Sequence, residues 1–257
     1  MAAAGRFVIG MPGFYIGYLL AGASYLLLWW WMPSLALLLF LLMSAYHFGQ
    51  SNFSTLPFVR RWDAVFTYLT WGAAVIIVPV LFHWQEASVI VSEITGVEYS
   101  LGPLFRDRVV MGLASANLVW LCTAAWRNRW PARRLLQELV SFLLLMALFL
   151  TTPLLLGFAV YFFFWHSAGS VIDQVEALCQ WEPNYGFGRY GRQVLPFSLL
   201  AFVGLGLLYL FLGSTLDKGQ NLGTLFIFIA IVTVPHTVLM EFLYRRACPT
   251  AQGGTSG

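Results

Sequence analysis

The sequence contains four histidines, and they are its best candidates for chemistry because it has few other polar side chains. His47, His166 and His236 each lie within a long apolar stretch, whereas His83 lies at the end of one, beside Trp84. Neutral imidazole binds iron, zinc and copper, and histidines from different helices that meet in a bundle core form a common metal site. Two interpretations stay open: the three central histidines bind a metal, or each forms a hydrogen bond between helices. For His83 we expect an interfacial imidazole hydrogen-bonded to headgroups or backbone.

Two of the central histidines have neighbours that bear on such a site. Ser170 and Asp173 follow His166 at spacings that place all three on one helical face. Asp173 is placed either to orient a histidine or to meet an arginine at the membrane rim, and the sequence leaves both open. Pro235, directly before His236, removes a helical hydrogen bond, which kinks a helix and makes room for a pocket.

The five residues before His166 are all aromatic. Such a band either lines a slot for a long, flat, apolar ligand or packs against lipid, and five consecutive residues cover every face of a helix. Some of these side chains must therefore face lipid. We expect a ligand to contact Tyr15, Tyr18, Tyr161, Phe162 and Trp165.

The elements that position these residues must be membrane helices. Of the 257 residues, 60% are apolar and only 10% are charged, against roughly 25% charged in soluble domains. This composition excludes an ordinary water-soluble enzyme. No basic run is longer than a pair, so a nucleic-acid partner is not expected. The three cysteines lie far apart without a C-x-x-C pair, which supports neither a disulfide framework nor a thiolate metal site.

Cutting the chain at prolines, glycines and charge pairs leaves about eight runs long enough to span a bilayer. They are residues 10–31, 33–50, 62–84, 108–126, 134–152, 154–178, 193–213 and 222–244. The first division rests on Pro33 alone, because residues 7–59 carry no charge. We therefore predict an all-α, polytopic transmembrane bundle that forms a single domain over residues 1–249, with a disordered tail over residues 250–257.

The basic residues indicate how this bundle is oriented. Of the 14 Lys and Arg residues, all but Arg106, Arg108 and Lys218 fall on one side of the threaded membrane. The positive-inside rule then places both termini in the cytoplasm, as expected for a multi-pass protein of a bacterial inner membrane. On the other side, residues 85–107 carry glutamates among apolar residues and predict a short amphipathic segment at the outer surface.

Three motifs carry a family resemblance. The run Ser44-Ala45-Tyr46-His47-Phe48-Gly49, the triplet Trp165-His166-Ser167 and the pair Pro235-His236 resemble, in order and spacing, the Brp/Blh family of membrane β-carotene 15,15'-dioxygenases. Further similarities near Gly10 and from Pro79 to His83 extend the resemblance over nearly the whole chain. It implies an all-helical membrane enzyme that uses O₂ and non-haem Fe(II), held by histidines, to split β-carotene into two retinals.

The resemblance also implies the roles of individual residues. His47 and His166 match metal ligands, and His236 matches a motif histidine that is either a ligand or supports one. The family pattern G-x-P-H-G-x-x-D-H near the first span has Gly13 in place of its first histidine here. The pattern W-H-S-x-R-H has Ser170 in place of its second. Two ligands that the family implies are thus replaced.

Because two expected ligands are replaced, two functional predictions remain open. The first reading is a relative that kept the fold and the hydrophobic slot but lost part of the iron site. It would bind a carotenoid or retinal, or serve as a subunit of a larger membrane pigment complex. The alternative is an active non-haem iron oxygenase that cleaves β-carotene to retinal. The sequence leaves the enzymatic status open.

Overall fold

The computed structural model describes residues 11–179, 182, 184–215 and 221–247, and all regular secondary structure within these ranges is helical. The elements in chain order are α1 (Met11–Trp31), α2 (Pro33–Phe53), α3 (Arg61–Phe82), α4 (Trp84–Thr95), α5 (Pro103–Arg127), α6 (Ala132–Thr151), α7 (Leu154–Tyr161), a π-helical segment (Phe162–Ser167), α8 (Ala168–Cys179), α9 (Phe187–Thr215) and α10 (Asn221–Ala247). Lys218 and the predicted tail over residues 250–257 lie outside the described residues. The predicted all-α fold is confirmed for the described part.

Six helical stretches among the described residues are long and apolar enough to cross a membrane. They are Pro33–Phe53, Arg61–Phe82, Pro103–Arg127, Ala132–Thr151, Leu154–Glu176 and Phe187–Leu207. Two shorter apolar stretches, Ile16–Trp31 and Leu222–Val238, lie in α1 and α10. The chain is therefore an integral membrane protein by the length and composition of its helices. The total of eight spans and the cytoplasmic termini stay predictions.

The hairpin between α1 and α2 turns at a single residue, Met32, as Pro33 predicts. Proline suits the first position of a helix because it lacks the N–H that would find no partner there. The hydroxyl of Tyr25 donates to the carbonyl of Ala36 at 2.7 Å and ties the two helices together. A break in an otherwise uncharged run of chain thus follows from one proline.

The main core lies where α2, α3, α5 and α6 pack together, with Trp71, Phe53 and Phe142 almost completely buried. At the centre, α2 and α3 approach each other through glycines. A side chain on Gly49 would overlap the backbone of Tyr68, and one on Gly72 would overlap the backbone of Ala45. Small residues allow this approach, and in lipid the resulting van der Waals contact stabilises helix pairs. The pair fixes α2, which carries His47.

A second core joins α1, α2, α4 and α10 and includes Trp29, Ile90 and Ala230. The amphipathic segment predicted for residues 85–107 is a helix only as far as Thr95, and α5 begins at Pro103. Ile90 and Ile94 of α4 pack into this core, and Glu93 Oε2 accepts a hydrogen bond from the Gly223 N–H at 3.0 Å. The segment therefore packs across the ends of other helices in addition to carrying an exposed polar face.

Candidate metal and ligand site

The structure brings His47, His166 and His236 together. The ring centroids of His47 and His166 are 5.2 Å apart, and those of His47 and His236 are 5.6 Å apart. The three residues come from α2, the π-helical segment and α10. Three distant parts of the sequence therefore contribute imidazoles to one point in the bundle.

A break in helical periodicity presents His166 to this point. Residues Phe162–Ser167 form a π-helical turn between α7 and α8, in which the Ala168 N–H reaches the carbonyl of Phe163. π-Helical turns inside α-helices are often found at functional sites, because the extra residue rotates the side chains that follow. The aromatic run itself gave no indication of this turn. The spacing of His166, Ser170 and Asp173 predicts a regular helix here, and that prediction misses the π-helical turn.

Two histidines of this cluster, His47 and His166, are buried and incompletely hydrogen-bonded. Only 2% of His47 and 8% of His166 are exposed. Within the described residues, neither ring nitrogen of His47 nor Nδ1 of His166 has a hydrogen-bond partner. A buried polar atom without a partner is costly, and a bound ion is one of the few explanations for it. Unprotonated imidazole nitrogens are also the donors that Fe(II) accepts, so the chemistry of these side chains, taken one by one, fits a metal.

The arrangement is a sparse donor set for an iron site. In the described part of the chain, no group of three or more His, Cys, Asp or Glu side chains stands in a metal-binding arrangement. Asp173 accepts a hydrogen bond from Ser54 Oγ at 3.4 Å, and this bond is to neither a histidine nor an arginine. Ser170 Oγ lies 3.2 Å from Ser51 Oγ and joins α8 to α2. Asp173 and Ser170 thus lie beside the cluster and bond to hydroxyl groups of α2 and the loop that follows it.

Aromatic rings surround His166. The Phe48 ring centroid is 4.7 Å and the Phe162 centroid 5.1 Å from that of His166, and the buried Tyr161 packs on Phe48 at 5.6 Å. Phe48 was not among the expected ligand contacts, although it lies next to His47 in the motif. Phe164 is 63% exposed, so part of the aromatic run faces away from the protein, as five consecutive residues require.

Tyr15 and Tyr18 of α1 are both predicted ligand contacts, and the structure describes the side chain of Tyr18. Tyr18 donates a hydrogen bond from its hydroxyl to the carbonyl of Val232 at 2.8 Å, one turn before His236 on α10. It therefore ties α1 to the helix that carries the third histidine. The structure does not describe the side chains of residues 11–15, which include Tyr15 and the position of Gly13.

A cavity of about 220 Å³ opens beside His166. Its lining combines aromatic side chains, Phe48, Tyr161 and Trp165, with polar ones, among them Ser51, Asn52 and Asp173. Arg134 also lines the cavity and pairs at 2.6 Å with buried Glu138, which accepts from Asn52 Nδ2 at 2.9 Å. The volume is below the roughly 300–1,000 Å³ of usual ligand pockets. It suits one segment or one end of a long ligand.

His83 lies away from the histidine cluster, and its ring has polar partners of its own. Its Nε2 donates to the carbonyl of Phe149 at 2.8 Å, and its Nδ1 lies 3.8 Å from Glu86 Oε1. It stands at the corner between α3 and α4. The expectation of an imidazole hydrogen-bonded to backbone is confirmed.

Comparison with known proteins points in one direction. Residues 7–244 match the family model described as Beta-carotene 15,15'-dioxygenase. The chain is also 26% identical over 253 residues to a protein named "Beta-carotene 15,15'-dioxygenase" from uncultured marine bacterium 66A03. That alignment covers 95% of this chain and 85% of the relative. No solved structure matches the chain.

Proposed function

Because the chain belongs to the beta-carotene 15,15'-dioxygenase family, we propose that it binds a carotenoid or retinoid in the membrane, beside a reduced iron site formed by His47, His166 and His236. The observation that carries this proposal is the pair of buried imidazoles, His47 and His166, which have ring nitrogens without a partner among the described residues, together with the Phe48 and Phe162 rings that pack on His166. A metal donor set and an aromatic surface thus meet at one point.

The aromatic residues suit a polyene. Conjugated chains are flat and apolar, and aromatic rings pack on them with offset or edge-to-face geometry. Phe48 and Tyr161, which are buried, and Phe162, which is 48% exposed, provide such surfaces beside His166. The polar side chains that line the same cavity suit an oxygen-bearing end, such as the aldehyde of a retinoid, through the hydroxyl of Ser51 or the amide of Asn52.

The iron would be held by the three imidazoles, and when bound it would supply the O₂ chemistry that cleaves a double bond. The chain's own residues hold and orient the polyene around that point. Gly13 and Ser170 lack metal-binding side chains where the family pattern has histidines, which weakens the hold on iron. For this reason we place binding ahead of catalysis.

An active oxygenase is the second candidate. It is supported by the convergence of three histidines, since the His236 ring lies 5.6 Å from that of His47 and would supply a third nitrogen donor. A site with three protein ligands keeps positions open for O₂ and substrate, as non-haem iron oxygenases require.

One experiment separates the two candidates. The purified full chain is incubated with β-carotene or retinal, then with Fe(II) and O₂, and both the bound polyene and the retinal formed are measured by absorbance and chromatography. Binding predicts about one polyene per chain and no turnover, whereas the oxygenase predicts several retinals per chain. A chain that neither retains polyene nor forms retinal would contradict both.

A pair of variants locates the polyene. Phe162→Ala removes a ring that packs on His166 and should weaken polyene binding about tenfold. Phe164→Ala removes an equal ring that packs on Phe163 and is 63% exposed, and it should leave binding unchanged. Equal losses in both variants would place the polyene outside this site.

The same proposal includes location and assembly. We place the chain in a bacterial inner membrane with both termini in the cytoplasm, on the distribution of its arginines. A role as subunit of a larger pigment complex is supported by α9, whose membrane-spanning window buries no residue against the rest of the described chain. Native mass spectrometry of membranes solubilised in mild detergent tests it: a chain found only alone would contradict it.

A further inference from the structure

A second cavity, of about 390 Å³, lies at the end of the bundle where two connections meet. It is lined by Val59, Arg60, Asp63, Trp126, Arg127 and Arg129. The connection from α2 to α3 and that from α5 to α6 are fastened to each other. The Val59 N–H donates to Asn128 Oδ1 at 2.6 Å, and Trp130 Nε1 donates to the carbonyl of Pro57 at 3.0 Å. The walls of this cavity are therefore fixed in place.

The cavity carries unbalanced positive charge. Asp63, only 3% exposed, pairs with Arg127 at 3.0 Å. For Arg60 and Arg129 the described part of the chain shows no ion pair with a carboxylate. Two guanidinium groups thus remain beside a neutralised pair. Arginine binds phosphate oxygens through parallel N–H donors, so an anionic phosphate fits this surplus.

The backbone of Arg129 gives an independent reason to expect a role for its side chain. Helix α5 ends in a Schellman motif, in which the Trp130 N–H bonds to the carbonyl of Ala125 and the Arg129 N–H to that of Trp126. Arg129 holds the left-handed position of this motif, with φ of 53°. Glycine usually occupies that position because a side chain is disfavoured there. An arginine at such a position indicates that its guanidinium is needed.

The surroundings of the cavity place it at the membrane surface. Trp126 is 81% exposed, and Trp62 nearby is also largely exposed. Tryptophans concentrate at the headgroup level, where one part of the ring contacts lipid and the N–H contacts water. We propose that this cavity binds the phosphate group of an anionic phospholipid through Arg60 and Arg129, while Asp63 holds Arg127 in the wall.

The substitution Arg129→Gly tests this because its two effects have opposite signs. The full chain in detergent is titrated with phosphatidylglycerol or phosphatidylcholine, and bound lipids are counted by native mass spectrometry alongside the unfolding temperature. The wild type should bind phosphatidylglycerol at least about tenfold more tightly than phosphatidylcholine. Arg129→Gly should lose most of that preference. Its unfolding temperature without lipid should be equal or higher, since glycine relieves the left-handed backbone.

Two further measurements are controls, one for the position of the positive charge and one for the source of the phosphate. Arg192→Gln removes one charge from α9, where the arginine bonds within its own helix, and should leave the lipid preference intact. Inorganic phosphate and soluble glycerol phosphate at millimolar concentration should not stabilise the chain as the lipid does. Equal binding of the two lipids, retained preference in Arg129→Gly, equal loss in Arg192→Gln, or equal stabilisation by free phosphate would each overturn the proposal.

Discussion

The corner at His83 and the cluster at His47 use the same side chain in opposite ways. At the corner, His83 bonds to the carbonyl of Phe149 and lies near Glu86, so the imidazole joins three helices. At the cluster, His47 is more deeply buried but has no hydrogen-bond partner among the described residues, and its neighbours are other imidazoles and Phe48. In a bundle with few polar groups, the partners of a histidine distinguish a structural role from a binding site better than its depth does.

The two regions also differ in what holds them. The corner is local, because His83 both ends α3, with its N–H bonded to the carbonyl of Pro79, and begins α4. The cluster depends on long-range packing of α2, α10 and the π-helical segment. Gly49 and Gly72 set the position of α2, and Tyr18 fastens α1 to α10. The site is thus sensitive to changes far from the imidazoles themselves.

The largest effect should come from the α2–α3 contact. Gly72→Ala places a methyl group into the backbone of Ala45, where no flexible side chain can yield. We expect a loss of about 3 kcal/mol or more in unfolding free energy, measured in mixed micelles. Gly112→Ala is the matched control, because a methyl group there meets nothing within 4 Å. It should change stability by no more than about 1 kcal/mol. Similar effects in the two variants would show that α2 and α3 do not pack as described.

The next largest effect should be on Fe(II) binding, which should depend on the histidine cluster and not on the corner at His83. His166→Ala removes one of the three proposed nitrogen donors and should weaken Fe(II) binding by at least about 100-fold. Replacing a residue that only supports a metal ligand already lowers metal affinity by roughly 10- to 100-fold. His83→Ala should retain full binding, because its partners lie elsewhere. Anaerobic equilibrium dialysis with metal analysis measures both. Loss in both variants would erase the distinction between the regions.

Restoring the histidine that the family pattern has at position 170 should raise the Fe(II) affinity of the cluster. Ser170 lies one helical turn after His166 and faces Ser51 of α2. Ser170→His recreates the spaced pair of the family pattern and should raise Fe(II) affinity about tenfold, or ~1.4 kcal/mol. Ser170→Ala removes the same hydroxyl without adding a donor and should leave affinity unchanged. An unaltered affinity in Ser170→His would mean that this helical face does not point to the metal.

The smallest effect belongs to the corner. His83→Ala leaves the buried carbonyl of Phe149 without its partner, at a cost of about 1 kcal/mol in unfolding free energy. His83→Gln should recover part of this, because its amide can donate to the same carbonyl. If His83→Ala were as stable as the wild type, the hydrogen bond would contribute nothing to the corner.

The fold was largely predictable because long apolar runs in a membrane protein have few alternatives to helices. Pro33 alone located the boundary between α1 and α2, and the long apolar stretches around His47, His166 and His236 placed each of them within a helix. The π-helical turn at His166 was not predictable, since it depends on tertiary packing. The packing of α4 into the second core was also missed, because amphipathicity shows that a helix has an apolar face but not what covers it. Phe48 could have been found from its position beside His47 in the family motif.

The measurement that tests the central claim most directly is a crystal structure of the full chain loaded with Fe(II) under anaerobic conditions, with an anomalous difference map at the iron edge. We predict a single peak among the imidazoles of His47, His166 and His236, absent from crystals of His166→Ala. A map with no peak among these rings, or with a peak only at His83 or at the surface, would contradict the account.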